Sequence, residues 1–179
     1  MESFFKLAQV RRSTRKYKPD VIPVDIITKL QQVLLMSPAS KRSNPWEFIF
    51  VDDKEILTLL ADCKPHGASF VKDAPLAVVI IVDPAKSDVW VEDTSIASIY
   101  VQLAAEDMGL GSCWVQVHKR MHASGEMSSE YIKKILGIPQ HFEVESIISI
   151  GYKNETRSEF DLEQLQYSKI HTNTYSPKS

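Results

Sequence analysis

The chain has 179 residues, of which 44% are apolar and 25% are charged, and its formal net charge at pH 7 is -2. Such values are typical of a globular protein, and so small a net charge excludes an overall positive field that would attract nucleic acid. The length predicts one domain over residues 1–179. Cys63 and Cys113 form no closely spaced pair, so we expect a reducing compartment, the cytoplasm. No run is long and apolar enough for a secretory leader or a membrane span, so we expect a soluble protein.

The first half of the chain predicts three helices and two strands. Ser3 is a cap for a short helix that ends at Val10, and helical spacing of apolar residues predicts a second helix from Asp25 that stops before Pro38. The run over 76–82 is apolar at every position, which predicts a central strand covered on both faces. The elements between them are a loop over 37–45, a strand over 48–51 and a helix over 54–62.

The second half predicts two helices, two strands and a polar tail. A helix from about Asp93 ends at the flexible glycines of residues 109–111. The tail over 151–179 has little core of its own, so we expect it to wrap around another surface. The other elements are a strand over 114–117, a helix over 128–136 closed by Gly137 and Pro139, and a strand over 144–150.

The consecutive residues Arg11-Arg12-Ser13-Thr14-Arg15 carry the strongest functional signal. In an extended segment, side chains two apart share a face, so Arg11, Ser13 and Arg15 would lie side by side. Guanidinium groups bind phosphate oxygens in a bidentate manner, and a hydroxyl adds a neutral donor. The cluster therefore predicts a phosphate clamp, and the alternative is a solvated basic patch.

A second motif is the loop from Ser37 to Pro45, which is rich in hydroxyl and amide groups and leads into a strand through Trp46. Together with the arginine cluster and the segment 109–116, in this order and spacing, it resembles the flavin-dependent nitroreductase family. The segments 63–70 and 169–171 resemble a small bacterial NAD(P)H-dependent branch, so the resemblance covers nearly the whole chain. It implies an α+β fold with a central, mainly antiparallel sheet flanked by helices. It also implies an intertwined homodimer in which residues 151–179 wrap around the partner subunit.

The resemblance implies a bound FMN at the subunit interface and a set of residues that hold it. Arg11, Arg12 and Ser13 would bind its phosphate and ribityl chain. Arg15 would lie at the pyrimidine edge of the ring, where a cation stabilises the negative charge of the reduced flavin. The other members of the set are Pro38, Ala39 and Ser40 from the partner subunit, Trp114, Val115 and Gln116 along the ring near N5, and Lys169 and His171 beside the phosphate.

The implied activity is an oxidoreductase with a ping-pong mechanism. Hydride would pass from NADH or NADPH through flavin N5 to a nitroaromatic or quinone acceptor, and no side chain need act as a proton relay. The same scaffold in relatives supports dehalogenation, enoate reduction and flavin breakdown, which the sequence does not separate. The alternatives from other classes are a non-catalytic flavin-binding redox sensor and a small domain whose basic segment binds nucleic acid.

The sequence departs from the family pattern at three places. Many relatives have a serine at the position of Ala39 and an asparagine at the position of Arg42, so Ala39 is expected to contact the ring through its backbone alone. Glu163 lies near the position of a family arginine, which leaves Lys169 as its expected substitute.

Other motifs favour ordinary structural roles, and we expect no metal. Cys63 and His66 have CxxH spacing without a second pair. His118 and His122 would share a helix face, but no glutamate follows His118, so a surface role is expected. The remaining assignments are a helix terminus rather than a dinucleotide loop at 109–111, core or dimer interface for the apolar stripe at 96–104, a packing anchor for Trp46 and a buried thiol for Cys113.

Overall fold

A computed structural model of the chain describes residues 3–175, so Met1, Glu2 and residues 176–179 of the predicted domain and tail lie outside it. Its centre is an antiparallel sheet with the strand order β1-β2-β4-β3. The strands are β1 (Trp46–Val51), β2 (Leu76–Val82), β3 (Gly111–Gln116) and β4 (Glu143–Gly151). This sheet and the helices around it confirm the predicted α+β class.

The helices begin and end at recognisable signals. Ser3 caps the first helix by accepting a hydrogen bond from the N–H of Lys6, and Asp53 caps the third through its carboxylate. The fifth ends at Gly137, which has the left-handed backbone (φ 65°) that glycine adopts without strain. Within residues 3–175, no helix is long and apolar enough to cross a membrane. The α-helices are α1 (Phe4–Val10), α2 (Val24–Leu35), α3 (Lys54–Ala61), α4 (Trp90–Asp107) and α5 (Ser128–Leu136).

Two apolar clusters cover the two faces of the sheet. Val78 and Ile80 of β2 pack with α2 and α4 on one face, and Val79 and Ile81 pack with α3 and α5 on the other. Every residue of β2 is therefore buried. The prediction of a central strand covered on both faces is confirmed.

Apart from starts of β1 and α4 that lie two to three residues earlier than predicted, two sequence predictions differ from the structure. The third strand begins at Gly111 rather than at residue 114, because Gly111 and Cys113 pair with Gly151 and Ser149 of β4. No helix carries His118 and His122: the segment between β3 and α5 consists of turns and an isolated bridge. The expectation of a shared helix face for these two histidines was wrong.

The apolar stripe predicted over 96–104 divides in the structure: Ile96, Ile99 and Tyr100 are more than a third exposed, whereas Ala104 packs against the core. Ala97, Val101 and Ala105 form the buried side of α4, whereas Ile96 and Ile99 are 37% and 39% exposed. The sequence left a core role and a dimer-interface role open for this stripe, and the exposure of its outer residues excludes the core role for them. The dimer interface stays a prediction.

Candidate functional site

The segment Arg11–Arg15, which we call the clamp segment, docks against the free edge of β3. Ser13 forms a parallel bridge with Ser112, and the N–H of Thr14 donates to the carbonyl oxygen of Ser112 at 2.9 Å. Thr14 is buried against Gly111, where a Cβ would lie 2.5 Å from the Thr14 hydroxyl oxygen. The bridge at Ser13 thus meets the condition under which the sequence places Arg11, Ser13 and Arg15 on one face.

The alternating side chains of the clamp segment lie near Cys113, the residue after the Ser112 that pairs with Ser13. Burial raises the pKa of the Cys113 thiol, while the charge of Arg15, the Ser13 hydroxyl, and the charges of Arg11 and Lys64 act in the opposite direction. Three cations and a hydroxyl thus act on one thiol at the edge of the sheet.

Lys64 is a member of this cluster that the sequence did not identify as a site residue. Its Nζ donates to the backbone oxygen of Gln116 at 2.9 Å. Burial lowers the pKa of Lys64, and the charge of Arg120 acts in the same direction. A half-buried ammonium at the end of β3 can bind the anionic part of a ligand. The signal in the sequence was its place within the family-like segment 63–70.

Hydrogen bonds with Glu155 and Tyr17 fix the backbone of the clamp segment. The Glu155 carboxylate accepts hydrogen bonds from the N–H groups of Arg15 (2.6 Å) and Lys16 (3.2 Å). The bond from Arg15 lowers the pKa of Glu155, as does the nearby Arg157. The hydroxyl of Tyr17 donates to the Thr14 oxygen at 2.5 Å. These contacts organise the segment before any ligand binds.

Arg12 points in a different direction from its neighbours. Its guanidinium donates to the backbone oxygen of Ser158 at 2.7 Å and lies 4.5 Å from the centre of the Phe160 ring. It therefore fastens the start of the tail to the clamp segment. A direct role for Arg12 at a phosphate stays a prediction.

The predicted ring-lining residues of β3 already have partners within the chain. Val115 is buried in the cluster beneath α3 and α5, and Trp114 packs on the opposite face. The Trp114 Nε1–H donates to Gln116 Oε1 at 3.0 Å, and Gln116 Nε2 donates to the oxygen of His118 at 3.1 Å. Because these three side chains have partners within the chain, we expect a ligand to contact the backbone at this end of β3 rather than the side chains.

The second motif lies far from the clamp segment of the same chain. The loop that contains Pro38, Ala39 and Ser40 ends at Trp46, while the clamp segment docks at Ser112. Trp46 and Ser112 occupy diagonal corners of the sheet. Three strand spacings across and about seven residues along separate these corners by roughly 25 Å.

The first part of the tail contacts its own subunit, and most residues from 161 to 175 are exposed. Glu159 pairs with Lys6, and the N–H of Phe160 donates to the oxygen of Gln9 at 3.0 Å. Lys169 lies on the exposed part beyond these contacts, and the ring of His171 packs against Tyr175. The predicted roles of Lys169 and His171 beside a phosphate stay predictions.

The Cys63–His66 pair does not converge on a common point, because the cysteine is buried and the histidine is exposed. Among residues 3–175, no three side chains of the types that bind metals come together. A cleft of about 630 Å³ does open beside Arg15, with Tyr17, Leu57 and Pro75 in its walls.

The chain is similar to known proteins in both sequence and fold. The sequence model of the nitroreductase family, described as "Nitroreductase family", matches residues 8–67 and 61–152. The chain belongs to the nitroreductase family. This membership confirms the resemblance predicted from the ordered motifs, and with it the prediction of an oxidoreductase.

Individual members of the nitroreductase family are similar over nearly the full chain. A protein of Methanothermobacter thermautotrophicus, whose name joins NADH dehydrogenase with NAD(P)H nitroreductase, is 35% identical over 167 residues, which are 90% of this chain and 84% of that protein. The structure of an FMN-dependent nitroreductase from Clostridium difficile superposes with a TM-score of 0.94 at 44% identity. The superposition covers 96% of this chain and 100% of the other.

Proposed function

We propose that the protein is an FMN-dependent NAD(P)H oxidoreductase that reduces nitroaromatic or quinone-type acceptors by a ping-pong mechanism. The observation that carries the proposal is the position of Arg11, Ser13, Arg15 and Lys64 along the edge of β3, where all four act electrostatically on Cys113. This donor set fits a phosphate group together with a ring that becomes negatively charged on reduction. The names of the similar proteins, which include FMN and NAD(P)H, support the same cofactors.

The residues of the proposed site form two groups, one for the phosphate end of FMN and one for its ring. Arg11 and Ser13 bind the phosphate end of the cofactor through charge-assisted and neutral hydrogen bonds. Arg15 and Lys64 stabilise negative charge at the ring, and Glu155 keeps the Arg15 backbone in place. Bound FMN would supply the hydride chemistry, with NAD(P)H as donor and the acceptor reacting in a second step.

We also propose that two chains form each site. The loop 38–40 cannot reach its own clamp segment across the diagonal of the sheet, so it serves the clamp of the partner subunit. Apolar side chains that a monomer would expose provide the contact surface, among them Phe4 and Phe5 of α1 and Ile99 of α4. The two buried, unpaired cysteines agree with the cytoplasmic location that we predict.

The absorbance spectrum of the purified protein tests the cofactor and the activity together. We expect a yellow protein whose flavin absorbance is lost when NADH or NADPH is added without oxygen and returns when a nitroaromatic or a quinone follows. A protein that saturates with FMN but never bleaches would be a non-catalytic flavin binder. Colourless protein that takes up no FMN would refute the proposal.

Three arginine variants test the division of tasks. Arg11→Ala is expected to weaken FMN binding about tenfold or more, and Arg15→Ala to lower the midpoint potential of the bound flavin. Arg12→Ala is the comparison variant, because the Arg12 guanidinium contacts Ser158 and Phe160 in this structure, and its effect on FMN affinity tests the predicted phosphate role of Arg12. Equal losses of FMN affinity for Arg11→Ala and Arg12→Ala would contradict this division.

A further inference from the structure

A buried carboxylate at the start of α4 binds the loop that leads into β1. Asp93 is 2% exposed. Its Oδ1 accepts a hydrogen bond from the backbone N–H of Ser40 at 2.7 Å, and its Oδ2 accepts one from the hydroxyl of Ser87 at 2.7 Å. Hydrogen bonds to a carboxylate are stronger than those between neutral groups. Asp93 therefore fixes the position of Ser40 from within the core of its own subunit.

The backbone beyond Ser40 has a conformation that its residues disfavour. Lys41, Arg42 and Asn44 have φ angles of 53°, 56° and 43°, in the left-handed region. A side chain with a Cβ makes this region costly, so such a loop persists only when its surroundings hold it in place. The hydrogen bond from Ser40 to Asp93 is a contact that does so.

Asp93 also connects this loop with a second one. Ser87 is buried, and its Oγ accepts a further hydrogen bond from the N–H of Val89 at 3.3 Å. A cavity of about 110 Å³ lies between the two loops and is lined by Ser40, Ser43 and Ser87. One carboxylate thus joins the first turn of α4, the loop before it and the loop before β1.

We propose that Asp93 is a positioning residue that holds residues 38–44 in the conformation required at the FMN site of the partner subunit. The inference rests on the proposed function, because that function places the loop 38–40 at a flavin. The loop ends at the sheet corner diagonal to its own clamp segment. Asp93 of one subunit consequently acts on the site whose arginines belong to the other.

Substitutions at Asp93 separate positioning from general stability. Asp93→Ala removes both hydrogen bonds, and we expect FMN affinity to fall about tenfold or more and the KM for NAD(P)H to rise. Asp93→Asn is the conservative variant: its amide oxygen accepts from Ser40 while its NH₂ donates to the Ser87 hydroxyl, so affinity should return to near the wild-type value. Thermal unfolding and the mass of the apoprotein in solution show whether each variant folds and assembles.

Variants at Ser40 test the same contact without changing the carboxylate. Ser40→Pro removes the N–H donor and puts a ring carbon where the amide hydrogen faces Asp93 Oδ1, so it breaks this contact, while the extended backbone of Ala39 (φ -135°) is compatible with a following proline. Ser40→Ala keeps the N–H but loses the same hydroxyl, which belongs to the predicted FMN set, so the difference between the two variants isolates the N–H contact with Asp93. We expect Ser40→Pro to lose clearly more FMN affinity than Ser40→Ala, and equal losses would contradict the role of this contact even if Asp93→Ala does not fold.

Mixed dimers show in which direction Asp93 acts. Two differently tagged chains are co-expressed, one with Asp93→Ala and the other with Arg11→Ala, and the mixed dimer is purified through both tags. If Asp93 serves the partner's site, one site has both changes and the other has none, so FMN titration finds one tight site per dimer. If Asp93 serves its own site, each site has one change and no tight site remains.

The possible failures are distinguishable. A wild-type protein that binds no FMN refutes the proposed function itself. A wild-type protein that binds FMN, with folded Asp93→Ala and Ser40→Pro variants of unchanged FMN affinity, refutes only the role of Asp93. A mixed dimer without a tight site refutes its action across the interface.

Discussion

The thiol of Cys113 shows how burial and charge compete at a single residue. Burial raises its pKa, and the charge of Arg15 opposes this change without cancelling it. A raised pKa keeps the thiol protonated at neutral pH, so it is a poor nucleophile. Cys113 is therefore an uncharged packing residue beside these cations rather than a reactive group.

Glu145 is a buried acid whose environment makes stability depend on pH. It is 2% exposed, its Oε1 accepts a weak hydrogen bond from Gln116 at 3.4 Å, and its Oε2 has no hydrogen-bond partner among residues 3–175. Burial raises the pKa of Glu145, and Gln116 and Lys119 oppose the change only in part. The folded chain thus retains this proton to a higher pH than the unfolded chain does.

We predict that Glu145→Gln raises the melting temperature relative to wild type, and by more at high pH. Below the ordinary carboxyl pKa both states hold the proton, so Glu145 carries no penalty there. As the pH rises through that value, the unfolded chain loses its proton first, and wild-type stability falls until the folded-state pKa is passed. Thermal unfolding from about pH 4 to about pH 8 should show the gain growing to a few degrees.

Glu126→Gln is the matched control for this prediction. A hydrogen bond from Lys134 lowers the pKa of Glu126, so its contribution is present above the ordinary carboxyl pKa and is lost as the pH falls. This variant should show a small loss at neutral pH that vanishes in acid. A pH-independent gain for Glu145→Gln would contradict the assigned cause.

The residues of the candidate site differ in how far the sequence could predict them. The spacing of Arg11, Ser13 and Arg15 is a local pattern, so an extended backbone places them on one face without any knowledge of the fold. Lys64 reaches the same spot because α3 and the following turn bring it beside Gln116, 52 residues further along the chain. No local periodicity describes such a contact, so only the family resemblance pointed to it.

Some secondary-structure elements could be predicted from local sequence patterns, whereas others depend on tertiary contacts. The predicted ranges 76–82 and 128–136 agree with β2 and α5, because apolar runs and helix-ending glycines act locally. The first half of β3 could not be predicted, since glycine and serine have low strand propensity. Those residues are extended because β4 provides their hydrogen bonds.

We predict that Gly111→Ala separates the clamp segment from β3. The new Cβ would lie 2.5 Å from Oγ1 of Thr14 and 2.8 Å from Cγ of Lys153, so one of these neighbours must move. Such overpacking costs about 1–3 kcal/mol of the free energy of unfolding. Urea denaturation measures this cost, and FMN titration should show weaker binding because Arg11 and Arg15 shift with the segment.

Ser112→Ala is the neighbouring control. The Ser112 hydroxyl is buried without a hydrogen-bond partner among the described residues, so its removal should leave stability unchanged or slightly higher. If the Gly111→Ala and wild-type proteins are equally stable, Thr14 can move away from the new Cβ without a measurable cost in the free energy of unfolding.

At the scale of the whole molecule, apolar side chains remain exposed where a single chain has nothing to cover them. They lie on α1, on the outer side of α4 and along the tail. Patches of this extent are typical of surfaces that bind another protein. In the tail they are Leu162, Leu165, Tyr167, Ile170 and Tyr175.

We predict that removing residues 162–179 weakens the dimer. The truncated chain keeps the contacts of Glu159 and Phe160 with its own subunit but loses the exposed apolar side chains beyond them. Analytical ultracentrifugation should show a dissociation constant raised about tenfold or more, together with loss of FMN.

A full-length chain with Tyr167→Ser and Ile170→Ser is the control for chain length. It should reproduce much of the loss if apolar contact, rather than length, is responsible. A truncated protein that dimerises as tightly as wild type would show that the tail does not contribute to the interface.

If two chains form each site as proposed, the diagonal placement of the two motifs makes coenzyme retention a collective property. A solitary polypeptide would then own half of two binding sites and the whole of neither. On extreme dilution the yellow colour should therefore fade at the rate at which subunits separate, and concentrating the sample with free coenzyme should restore it.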